Sequence, residues 1–158
     1  MRVSVRKATG RIAVTAALAM VWLVSPVVAQ PASSLAGRVK SAAGPASIVR
    51  AGQTLPADVG VTLLSGDVLR TGLEGRVSVM LQDDTRLSLG PASEVALSEF
   101  QFVPAESRLA LVLRVVQGVV SYVSGRIAIL APGSVRIESP TLIIGVRGTH
   151  ALIRVDAP

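Results

Sequence analysis

The sequence predicts an all-β domain, and three observations carry that reading. Apolar and polar residues alternate along most of the chain after Leu35, as in a strand with one buried face. Turn-forming pairs separate these runs. Outside the N-terminal segment, no window sustains a helical period. Short strands at this spacing fit a β-solenoid-like stack, a β-sandwich or a barrel. The pairs Val77/Val79, Leu87/Leu89 and Val95/Leu97 return at spacings of ten and eight residues, a rung-like rhythm that favours stacked coils over a closed barrel.

The elements follow in order. Residues 1–29 read as a secretory signal peptide. Arg2, Arg6, Lys7 and Arg11 precede a 13-residue apolar stretch, Ile12–Val24, interrupted only by Thr15. Val27-Val28-Ala29 then places small residues at −3 and −1 of a cut before Gln30. The stretch is short for a membrane span, which needs ~20 residues; the alternative is an uncleaved anchor. Residues 30–34 form a short polar lead-in, and residues 35–158 form the β-domain.

Within that domain, Ser65-Gly66-Asp67 and Thr71-Gly72 bracket a short strand. Arg76–Leu81 and Arg86–Leu89 alternate around a hairpin tip at Asp83-Asp84. Glu94–Ser98 alternates, Phe100 and Phe102 bracket Gln101, and Leu109–Val116 alternates again. Gln117–Val123 reads as another strand, entered through Gly118. Val135–Glu138 alternates after Pro132-Gly133. Ser139-Pro140 introduces the final element, in which Arg147 sits between Gly145 and Gly148 inside two strand-forming runs.

Composition excludes several function classes. The chain has 16 Lys and Arg against 10 acids, a net charge of +6, and a pI near 11.3. Four of the positive charges lie in the leader, so the mature part carries only about +2. Its basic residues are scattered singly, and Phe100, Phe102 and Tyr122 are its only aromatics. That argues against a nucleic-acid partner, which needs a basic stripe or stacking platforms. With no cysteine, thiol catalysis, disulfides and Cys-based metal sites are excluded. No cysteine follows the leader to carry a lipid, so the mature form is expected to be soluble and not membrane-spanning.

The motifs occur in an informative order. Gly66-Asp67-Val68-Leu69-Arg70-Thr71-Gly72 comes first, followed by the hairpin from Gly75 to Pro91. A strand opening Gly118-Val119-Val120 is next, and Ser139-Pro140 then leads to Gly145-Val146-Arg147-Gly148-Thr149. In this order and spacing the chain closely resembles the FecR domain family, over about Leu35–Val155. The resemblance implies a periplasmic or secreted β-domain with a role in protein contacts. Its family-motif positions, structural or partner-contacting, are Gly66, Asp67, Thr71, Gly72, Gly145, Val146, Arg147, Gly148 and Thr149.

The chain departs from the family's pattern in three ways. Asp84 stands where the hairpin tip usually has glycine, which aspartate tolerates better than most residues. Only 11 residues precede the apolar stretch and little follows Val155. The family's sigma-factor signalling role, with its cytoplasmic segment and extra domain, is therefore not expected here.

The chemistry-bearing residues read mostly as structure. His150 is the only histidine and falls in a strand pattern, so it is expected to be structural or edge-facing. No serine sits in a G-x-S-x-G elbow. Asp83-Asp84 reads as a pair of solvated turn formers, the alternatives being an acid–base pair or a hard-cation site. Gly145–Thr149 lacks the lysine and following helix of a phosphate loop. Arg147 is expected to be buried, tied to Asp67, Glu138 or turn carbonyls; the alternative is an anionic ligand.

No enzyme activity, cofactor or metal is therefore expected. The leading function is a protein-binding or sensory module of the cell envelope. The second is a structural or assembly protein that self-associates or pairs through strand edges.

Overall fold

The computed structural model describes residues 34–145 and 150–156. It is all-β, as the alternation predicts. Twelve strands run in chain order: β1 (Leu35–Ala43), β2 (Ala46–Arg50), β3 (Gln53–Pro56), β4 (Thr62–Leu64), β5 (Val68–Thr71), β6 (Arg76–Leu81), β7 (Arg86–Leu89), β8 (Glu94–Val103), β9 (Arg108–Val123), β10 (Val135–Glu138), β11 (Ile143–Gly145) and β12 (His150–Val155). One short helix, α1 (Arg126–Leu130), lies between β9 and β10.

The strands join into one connected sheet that curls on itself. Its main path is β3-β2-β5-β8-β9-β7-β6-β1-β4. The long strand β9 is the reason. The two strands expected at Leu109–Val116 and Gln117–Val123 are one 16-residue strand. On one edge it pairs with β7 and β8 in nearly continuous register, Leu89↔Val120 and then Glu94↔Gln117. The opposite edge takes β10 in parallel at Leu111–Arg114, and β12 antiparallel at Gly118–Val123. This shared strand joins the two halves of the sheet.

The curl originates where β9 changes phase. Leu111, Leu113 and Val115 are buried before Gly118, and Val120 and Tyr122 after it. Odd positions give way to even ones at the bulge opposite Glu94 and Val95, next to which Gly118 adopts φ 93°, a conformation only glycine reaches without strain. The Ser93 side chain fills the space beside it. Ser93 Oγ accepts from Val119 N at 3.0 Å and lies 2.2 Å from where a Cβ on Gly118 would stand. A second phase change, at the bulge between Leu97 and Glu99 in β8, turns Phe100 inward after Val95 and Leu97. Bulges bend and twist a strand pair in this way.

The remaining core is the one the alternation marks: Val77, Val79, Leu81, Leu87, Leu89, Val135 and Ile137 are all buried. Burying a side chain of this size contributes about 1.5–3 kcal/mol, so these inner faces drive the collapse of the sheet.

Candidate functional site

The first motif folds as a pair of polar clamps. Asp67 is 1 % exposed, and such a carboxylate needs partners. It receives Arg50 Nε at 2.8 Å, Arg50 Nη2 at 2.7 Å and the Leu64 amide at 2.8 Å. Arg50 also donates to the Thr62 carbonyl. This two-pronged pair ties β2 to the β4–β5 turn and raises the Arg50 guanidinium above its ordinary pKa. Gly66 makes that turn with φ 92°. At the other end of β5, the buried Thr71 hydroxyl donates to the Gly90 carbonyl at 2.7 Å and accepts from Ser93 N at 2.9 Å. Gly72 N donates to the Pro45 carbonyl. Thr71 thus holds the β7–β8 link against the Gly118 bend.

The hairpin tip departs from expectation. Asp84 is exposed, adopts φ 68° and meets Arg126 at 3.3 Å. It fills the left-handed position of the usual glycine. Asp83, expected in solvent, is 0 % exposed. Its carboxylate accepts from Thr85 N at 3.2 Å, Thr85 Oγ1 at 2.7 Å and Ile127 N at 3.3 Å, and its carbonyl accepts from Arg126 N. The tip is therefore the anchor of α1, and sequence could not show this because α1 lies more than forty residues away.

Tyr122 packs beside that anchor, fully buried, and its hydroxyl has no hydrogen-bond partner. The nearby Thr85 hydroxyl is already committed to Asp83 and to Gly125 N. Burial first, then the Asp83 charge, push the Tyr122 pKa up to about 12, with Thr85 opposing the rise. A pKa raised from about 10 means stability present below pH 10 and lost as pH climbs toward 12. Tyr122→Phe is expected to abolish about 2–3 kcal/mol of alkaline destabilisation over that window, with near-neutral stability at pH 7. Chemical unfolding of both proteins at pH 7, 10 and 12 checks it; parallel losses in the two would refute the assignment.

Gly145, where the last motif begins, ends β11. Among the described residues β11 pairs only with β10, through Gly145↔Arg136 and Ile143↔Glu138. Gly145 is exposed. Val146, Arg147, Gly148 and Thr149 lie outside the described residues. Of the acceptors expected for Arg147, Asp67 holds Arg50, and Glu138 takes Arg114 at 3.2 Å. Leu142 and Ile143, just before Gly145, are 59 % and 72 % exposed. Beside them lie two clefts. One of about 580 Å³ is lined by Arg114, Val116, Glu138 and Ser139–Ile143. The other, about 550 Å³, is lined by the same loop with Ile153–Asp156. His150 is exposed on β12, its Nε2 3.0 Å from Ser121 Oγ, and stands in a cross-strand contact.

Among the described residues, no group of three His, Asp or Glu could hold a metal ion, and no helix is long and apolar enough to cross a membrane. The titratable groups at the first two motifs are spent on the fold, while the exposed Leu142 and Ile143 stand beside open clefts. A family model described as FecR protein matches residues 67–158, more than half of the chain. No curated protein and no solved structure matches it.

Proposed function

The chain belongs to the FecR protein family, and from that membership we propose that it is a non-enzymatic, protein-binding or sensory module of the cell envelope. It acts in the periplasm or outside the cell once the leader is cut after Ala29. The observation that carries this reading is the exposure of Leu142 and Ile143 just before Gly145, at β11, a strand that among the described residues pairs on one side only. An edge strand presents unpaired N–H and C=O groups, and exposed apolar side chains beside it give a partner strand both affinity and register. The adjoining clefts supply room for that partner's side chains.

The test is capture from an envelope fraction by the exported protein, whose intact mass should begin at Gln30. One protein should be enriched by the wild type and lost with Ile143→Lys, a change at an exposed position that leaves the fold intact. Enrichment unchanged by the substitution would sink the edge assignment. The second reading, self-assembly through the same edge, is favoured if sedimentation shows a dimer that Ile143→Lys dissociates. A protein that stays monomeric and captures nothing excludes both.

A further inference from the structure

The half of the sheet built from β1, β6, β7, the end of β9 and β12 carries a face with a distinct chemistry. Its registers align side chains in rows across all five strands. One row runs Arg38↔Met80↔Arg86↔Val123↔His150. The next runs Ser41↔Ser78↔Ser88↔Ser121↔Leu152. Arg76 and Arg154 follow, opposite Ala43 and Val119. Each residue of the two rows on β6, β7 and β9 alternates with buried core residues, so both rows lie on the solvent face.

None of these five strand segments contains an acid. Arg38, Lys40, Arg76, Arg86 and Arg154 are all exposed, and none is in an ion pair among the described residues. The paired arginines, Arg50, Arg70, Arg108, Arg114 and Arg126, lie on other elements.

We propose that this face docks on an anionic phospholipid surface. Five strands at ~4.8 Å spacing span about 19 Å, so the cations are spread over a plane and do not converge on a point. The long guanidinium arms rise from a floor of serines, including the Ser78–Ser88 hydroxyl pair at 3.1 Å, and reach a flat partner first. Met80, Val123 and the 71 % exposed Leu152 lie between them. Apolar residues interspersed with cations suit the boundary between headgroup and hydrocarbon; a dissolved polyanion offers them nothing. A cleft of about 210 Å³ lined by Arg38, Lys40, Met80 and Gln82 adds a place for one headgroup.

The docking does not depend on the protein-contact reading, which concerns the β11 edge. Sedimentation of the purified protein with phosphatidylglycerol vesicles at low salt tests it, with phosphatidylcholine vesicles as the neutral control. Each cation at such a surface strengthens association about fivefold. Arg38→Gln/Arg86→Gln should therefore weaken binding roughly 25-fold. Arg70→Gln/Arg108→Gln, with the same loss of charge elsewhere, should change it less than about twofold. Raising the salt tenfold should release the wild type, as the screening length shrinks. The proposal is overturned by absence of binding to phosphatidylglycerol, by equal binding to phosphatidylcholine, or by equal losses in the two double variants. Equally tight binding to soluble polyglutamate would also overturn it, in favour of an acidic protein partner.

Discussion

Asp83→Ala is expected to lower the unfolding free energy by about 3 kcal/mol or more, because it leaves several buried donors unpaired at about 1–3 kcal/mol each. The carboxylate is 0 % exposed and accepts from Thr85 N, Thr85 Oγ1 and Ile127 N. Truncation strands all three donors, and leaving a buried donor unpaired costs about 1–3 kcal/mol. It also loosens the start of α1, whose Ile127 amide loses its acceptor, while the Asp83 carbonyl, the Gln82 carbonyl and Asp84 still hold Arg126. Asp83→Asn keeps one acceptor oxygen and should recover part of the loss. Urea unfolding of the three proteins with an unchanged slope isolates the stability term. An Asp83→Ala midpoint equivalent to a change under about 0.5 kcal/mol, typical of exposed sites, would mean that the tip is solvated after all.

Gly118→Ala should be comparably severe for a different reason. At φ 93° an alanine pays about 1–2 kcal/mol for the left-handed region. Its methyl would also stand 2.2 Å from Ser93 Oγ and 2.5 Å from the Ser93 Cα, and relieving such overpacking costs about 1–3 kcal/mol. The side chain cannot simply swing aside, because Ser93 Oγ is bonded to Val119 N and the Ser93 amide to Thr71. The expected total is about 3 kcal/mol or more, with loss of the β7–β8 link first. Gly133→Ala is the control, because nothing lies within 4 Å of the added carbon. Thermal melts of the pair decide the matter: equal midpoints would show that the bend at Gly118 is not needed for the fold.

Both positions show how far the sequence could be read. Gly118 was visible as the glycine opening a strand, and Asp83 as half of a turn. Neither role was legible, because each depends on a residue far along the chain, Ser93 in one case and Ile127 in the other. Asp67 and Thr71 could be singled out through the family resemblance of the Gly66–Gly72 segment. Their partners Arg50, Gly90 and Ser93 carry no local signal and became visible only when β2, β5 and the β7–β8 link met. The basic face was hidden for the same reason. Along the chain its arginines are scattered singly, and only the register of five strands gathers them.

What the sequence determined by itself was periodic or local: an all-β chain, the inward set from Val77 to Ile137, the turn positions, the left-handed Asp84 and the family. These follow from side-chain alternation and from backbone preferences that act within a few residues. What only the tertiary structure decided was non-local: one curled sheet, β9 as a single spine through Gly118, the burial of Asp83, and the gathering of scattered cations on one sheet face. Strand pairing is chosen by hydrogen bonds and packing between distant segments, and a period-two pattern fits many such pairings equally well. Here the bulges in β1 and β8 and the positive φ of Gly118 selected one of them.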